Sequence, residues 1–222
     1  MQATSTTKRN VIGLFGGTFD PLHFGHLRLA QELAESLLLS NVRFIPAAQP
    51  PHKTLPLVGV DHRAAMVYLG ISSNPLFSCD ERELHRGGAS YTIDTLHSLR
   101  NDLGADVSLV LLMGSDAFAS LHSWYRWQEI IQLCHIALVQ RPSSGKQETL
   151  PKTLQDFLQT HYTEHSTDLQ KMPAGFIIKK SVTALDISST AIRKALQHKQ
   201  SVRYLLPDSI IDYIHTNQLY RN

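Results

Sequence analysis

The chain has 222 residues, 42% of them hydrophobic and 18% charged, a balance that supports a packed core and excludes general disorder. Its 21 basic and 19 acidic residues leave a formal net charge of +2 with no long run of one sign, which argues against nucleic acid or a membrane surface as a partner. Any anion binding must therefore be local, and the longest apolar stretches, such as residues 107–113, fall far short of the roughly 18 residues that span a bilayer, so the chain is read as soluble.

Residues 1–9 carry Lys8 and Arg9 but no apolar segment before a small-residue cleavage site, and are expected to form a flexible tail rather than a secretory signal. Cys79 and Cys134 fit neither C-x-x-C nor a disulfide framework, which points to a reducing, cytoplasmic compartment. Residues 10–15 are apolar and halted by Gly16-Gly17, which predicts a buried first strand ending in a tight turn. Leucines and alanines recur at helical spacing over 26–39, and 42–46 then reads as a second strand. Asp61 is expected to cap a helix through about Ser72, 76–79 to form a strand, and Ser90-Tyr91-Thr92 to lead a helix toward Leu103.

Residues 107–113 have the continuous apolar character of a central strand covered on both faces, and 135–140 predict another. Residues 143–172 turn polar and are read as a surface insertion with one modest helix. A last strand over 176–179 is followed by helices near 189–198 and 207–215. Strands alternating with helices predict one domain over 1–222, a doubly wound parallel sheet with helices on both faces and a small helical part over 187–222.

In such sheets ligands bind beyond the carboxyl ends of the strands, so the loop after the first strand matters most. It reads Gly16-Gly17-Thr18-Phe19-Asp20-Pro21-Leu22-His23-Phe24-Gly25-His26. Two glycines let the backbone approach a ligand, and the following helix offers N–H groups to an anion. His23 and His26, three apart, project to one side of a helical turn and can donate to phosphate oxygens. A pair that merely caps its helix is the bland alternative, and a zinc site lacks a third ligand at a supporting spacing. The order G-x-G-x-x-G of a dinucleotide fold and the full P-loop pattern are both absent.

The eleven-residue string resembles the signature of the nucleotidyltransferase superfamily, and within it the chain is similar to the bacterial nicotinate-nucleotide adenylyltransferase family. Further matches are Pro50-Pro51-His52-Lys53, Asp80-Glu81-Arg82-Glu83-Leu84, Ser90-Tyr91-Thr92, Gly114-Ser115-Asp116, Trp124-Tyr125, Arg141-Pro142 and Ile187-Ser188-Ser189-Thr190-Ala191-Ile192-Arg193. The resemblance implies a Rossmann-like fold, ATP as co-substrate, Mg2+ bridging its phosphates with no protein ligand assigned, and nicotinate mononucleotide as the acceptor.

By that resemblance the triphosphate lies between His23, His26 and the 187–193 turn, with Gly16, Gly17, Thr18 and Phe19 beside it. Gly114 and Asp116 would contact the nucleotide, although Asp116 is equally read as a helix cap. Ser188, Ser189 and Thr190 open a helix and can receive phosphate oxygens. Thr92, Trp124 and Tyr125 are implied to hold the pyridine ring, while Trp124 alone reads as a core aromatic. Lys53 and Arg141 are candidates for the acceptor phosphate or ATP. Where some relatives carry asparagines, this chain has Ala47-Ala48-Gln49, so those side-chain contacts are absent. Nicotinamide mononucleotide or phosphopantetheine remains an alternative acceptor, and a nucleotide-binding sensor without turnover is the alternative of another class.

Overall fold

A computed structural model describes residues 9–49, 56–140 and 150–221. Its strands are β1 (Val11–Gly17), β2 (Asn41–Pro46), β3 (Phe77–Cys79), β4 (Ser108–Gly114), β5 (His135–Gln140), β6 (Tyr162–Thr163) and β7 (Ile177–Ser181). The helices are α1 (Phe24–Ser36), α2 (Val60–Ile71), α3 (Arg82–Arg86), α4 (Thr92–Leu103), α5 (Ser115–Ala119), α6 (Trp127–Leu133), α7 (Lys152–His161), α8 (Ser189–Gln197) and α9 (Asp208–Thr216). The strands form one sheet in the order β3-β2-β1-β4-β5-β7-β6, with every pairing parallel.

β4 shows why the sheet forms. Val110 and Leu112 enter one core cluster, while Leu109, Leu111 and Met113 enter a second cluster on the opposite face. Burying each such side chain contributes about 1.5–3 kcal/mol before entropy is charged against it. The first cluster is covered by α1, α2, α8 and α9, the second by α4, α5, α6 and α7. The predicted C-terminal helical part is therefore packed onto the sheet: Ile192, Ile210, Ile214 and Tyr220 share a cluster with Val11 of β1.

Three local expectations shift for physical reasons. β1 runs through Gly16-Gly17 because β2 continues beside it, with Gly16 opposite Ile45 and Gly17 opposite Pro46, so the tight turn begins at Thr18. Gly59 occupies the cap position of α2, and Asp61 sits in its first turn, where a negative charge suits the helix dipole. The described part of the 143–172 stretch is more than surface: α7 buries Leu154, and β6 joins the sheet edge beside β7. A two-residue strand is too short to show a period of two in sequence.

Connections from β1 run toward β2 and β3, and those from β4 run toward β5 and β7. The chain thus diverges at the carboxyl ends of β1 and β4, which opens a crevice there.

Candidate active site

Gly16 and Gly17 end β1 at that crevice, and Gly114 ends β4 beside them. The two glycines serve different ends. A Cβ on Gly17 would lie 2.8 Å from the ring of Phe19, so Gly17 makes room for its own loop, whereas a Cβ on Gly16 would meet nothing within 4 Å. Phe19, held at φ 48°, turns its ring inward and is 2% exposed. It stands edge-on to His26 with ring centroids 5.2 Å apart. Phe19 is thus a buttress for an imidazole.

α1 begins two residues earlier than its hydrophobic period indicates because His23 caps it. The His23 backbone N–H donates to His26 Nδ1 at 3.3 Å, the contact that a glutamate makes in a capping box. A backbone N–H can only donate, so Nδ1 accepts, and a neutral His26 ring carries its proton on Nε2, the donor geometry useful to a phosphate oxygen. The rings of His23 and His26 stack with centroids 3.7 Å apart at 25°. A Cβ on Gly25 would come within 3.0 Å of His23 Cε1 and Nδ1, and 3.5 Å from the Ile187 carbonyl oxygen. Gly25 therefore fits between the histidine pair and the second half of the site.

That second half is the loop after β7 and the first turn of α8. Ser188 is the helix cap, its Oγ accepting from the Ala191 N–H at 3.2 Å, and Ser189 Oγ donates to the Pro21 carbonyl at 3.0 Å. Arg193 Nη1 donates to the Asp20 carbonyl at 2.7 Å, and Nη2 to Thr190 Oγ1 at 3.3 Å. Ser189 thus stitches the two segments together with its hydroxyl, at a helix N-terminus of the kind whose N–H groups can receive an anion. The two stretches, about 170 residues apart in sequence, line one cleft of about 680 Å³.

Gly16, Gly17, Thr18, Phe19, His23, His26, Gly114, Ile187, Ser188, Ser189 and Arg193 all line that cleft. Asp116 is exposed in the first turn of α5, capped by Gly114 rather than by Asp116 itself, and is not a lining residue. Thr92, Trp124 and Tyr125 lie outside the cleft lining. Thr92 starts α4, Trp124 is half-buried against the second core cluster, and Tyr125 is 55% exposed. Tyr91, the cap residue of α4 next to Thr92, has its ring centroid 5.1 Å from that of Tyr125. Lys53 and Arg141 fall outside the described residues.

The buried cluster of Asp20, Arg63 and Tyr220 beneath the cleft was not anticipated from the sequence. Arg63, fully buried, donates to the carbonyls of Thr18 at 2.9 Å, Ala47 at 2.6 Å and Ala48 at 3.3 Å. Burial pulls its pKa down, opposed by the nearby Asp20 charge. Asp20 is 4% exposed; its Oδ1 accepts from the Tyr220 hydroxyl at 2.6 Å and its Oδ2 from the Leu57 N–H at 3.0 Å. One signal was available: Arg63 stands among Ala64, Met66 and Val67 on the inward side of α2, and a buried guanidinium requires partners.

An open parallel sheet with a crevice at its divergence point, lined by glycines, imidazoles and a helix N-terminus, defines a nucleotide-binding α/β class, and the cytidylyltransferase-like family model matches residues 14–195. The probable nicotinate-nucleotide adenylyltransferase of Dechloromonas aromatica is 48% identical over 212 residues, covering 95% of this chain and 98% of that protein. The protein of the same name in Halorhodospira halophila is 46% identical, covering 90% of each. The chain belongs to the nicotinate-nucleotide adenylyltransferase family. Among solved structures, the nicotinic acid mononucleotide adenylyltransferase of Plasmodium falciparum complexed with NaAD matches with a TM-score of 0.72, covering 96% of this chain and 98% of that one. At 18% identity that likeness speaks to the fold. Among the described residues no helix is long and apolar enough to cross a membrane.

Proposed function

We propose that the chain transfers the adenylyl group of ATP to nicotinate mononucleotide, forming nicotinate adenine dinucleotide and pyrophosphate in NAD biosynthesis. The observation that carries this reading is the single cleft shared by the His23/His26 turn and the Ser188–Arg193 turn, joined by the Arg193 to Asp20 hydrogen bond at 2.7 Å. The names of relatives at 46–48% identity supply the acceptor.

The acceptor phosphate is already an anion near neutral pH, so the protein need not generate a nucleophile. An acceptor oxygen forms a bond to the α-phosphorus while the bond from that phosphorus to the bridging oxygen of pyrophosphate breaks. Alignment and charge neutralisation are the protein's tasks, as in phosphoryl transfer generally. His26 Nε2–H donates to the α-phosphate, His23 fixes the ring stack, and Arg193 with the α8 amides holds the departing pyrophosphate. Asp20, the one carboxylate among the described lining residues, is occupied by Tyr220 and Leu57. A Mg2+ ion would therefore be held by the phosphates themselves, where it spreads their negative charge. Lys53 and Arg141 add charge toward the acceptor, and the aromatic group of Tyr91, Trp124 and Tyr125 beside Thr92 offers flat surface for its pyridine ring.

The test is pyrophosphate release with ATP and Mg2+ against a panel of nicotinate mononucleotide, nicotinamide mononucleotide and phosphopantetheine. The highest kcat/KM is expected with the first. Release only with phosphopantetheine would overturn the acceptor, and no release with any would favour a nucleotide-binding sensor.

A further inference from the structure

The Asp20 carboxylate lies beside Arg193 without fully engaging it. Arg193 Nη1 is 2.7 Å from the Asp20 main-chain oxygen but 3.8 Å from Oδ2. The carboxylate is held from two other directions, by the Leu57 N–H on Oδ2 and by the Tyr220 hydroxyl on Oδ1. Tyr220 comes from the far end of the chain and is 7% exposed within the first core cluster, so its hydroxyl is fixed by packing. Arg63 brings a second positive charge to the same carboxylate. With little access to water, each carboxylate oxygen needs its donor, and an oxygen that loses one turns to the nearest alternative. With the Tyr220 hydroxyl gone from Oδ1 the carboxylate can rotate, and the cleft-lining cation within reach of it is Arg193, 3.8 Å from Oδ2.

We propose that Tyr220 is a positioning residue whose hydroxyl holds the Asp20 carboxylate back from Arg193, keeping that guanidinium available to the triphosphate. Charge is the reason the device matters. A carboxylate closing on Arg193 competes with phosphate oxygens for the same N–H donors, so the latch at Tyr220 sets ATP affinity from outside the cleft. The inference rests on the assignment of Arg193 to the triphosphate, and it concerns no other step of the reaction.

The experiment measures the Kd of a non-hydrolysable ATP analogue with Mg2+ by calorimetry at 20 °C, together with the melting temperature, for wild type, Tyr220→Phe, Asp20→Asn and the double variant. Tyr220→Phe is expected to weaken the analogue about tenfold. In the Asp20→Asn background, which lacks the competing charge, the same substitution is expected to change Kd by less than about twofold, a non-additivity that marks direct coupling. A purely structural tyrosine would lower the melting temperature and leave Kd within twofold, and that result overturns the proposal. So does a Tyr220→Phe penalty that persists undiminished in the Asp20→Asn background. If Asp20→Asn does not fold, the Tyr220→Phe affinity alone decides. Because the readout is binding, the latch can stand even where wild type yields no dinucleotide, and it can fail while the wild-type reaction proceeds.

Discussion

The His26 ring is held by three neighbours. The His23 N–H fixes its tautomer, the Phe19 edge and the His23 ring fix its plane, and Gly25 leaves the space for both. Gly25→Ala tests that arrangement because its two effects have opposite signs. Alanine in a helix is favoured over glycine by about 0.5–1 kcal/mol, so stability should hold or rise. The new methyl would press on His23 at 3.0 Å and displace the stack, so kcat should fall about tenfold or more. Unchanged turnover in a variant of normal stability would mean that the histidine stack is not needed. That the glycines and histidines of this turn come together at one cleft is legible in the sequence, because residue type and spacing place them at the end of β1 and the start of α1. The same sequence does not reveal that Gly17 serves Phe19, or that Asp20 meets Tyr220, since those are contacts between side chains whose directions no spacing rule supplies.

The elements most readable in sequence were those whose burial pattern is one-sided or total. β4 and β5 are continuous apolar runs, and α1 repeats its apolar residues at helical spacing, so type and rough position follow directly. α3, α5 and α6 are too short for a period to emerge, and β6 gains its strand character only from pairing with β7. The start of β5 holds a further feature invisible in sequence. His135 is fully buried, accepts the Phe176 N–H on Nδ1 at 3.0 Å and donates from Nε2 to the Met172 carbonyl at 2.9 Å. Burial pushes its pKa down to about 4 from an ordinary 6.5. The unfolded chain therefore takes up this proton at a pH where the folded one does not. Its contribution is complete above about pH 6.5 and is lost as pH falls toward 4, up to roughly 3 kcal/mol. Urea unfolding at pH 7.5 and pH 5 should show part of that loss, about 2 kcal/mol, in wild type and a flatter dependence in His135→Gln. Equal slopes in the two proteins would remove His135 as the cause.

At the scale of the whole molecule, the order of the sheet explains how distant motifs come to share one site. β1 and β4 lie side by side at the point where the chain diverges, and β7 follows β5 on the same side, which returns the loop before α8 to the mouth of the crevice. The doubly wound class, with a cleft opening at the strand ends, was legible from alternating elements, because handed crossovers leave few other arrangements. The depth of the union was not: Ser189 to Pro21, Arg193 to Asp20 and Phe24 to Leu205 are hydrogen bonds between chain ends that no local pattern encodes. The direct test is calorimetric affinity for a non-hydrolysable ATP analogue with Mg2+, compared among wild type, His26→Ala and Arg193→Ala. A shared triphosphate cradle predicts that each substitution, made at opposite ends of the chain, weakens binding by about tenfold or more. Affinity unchanged in Arg193→Ala, with His26→Ala impaired, would contradict it.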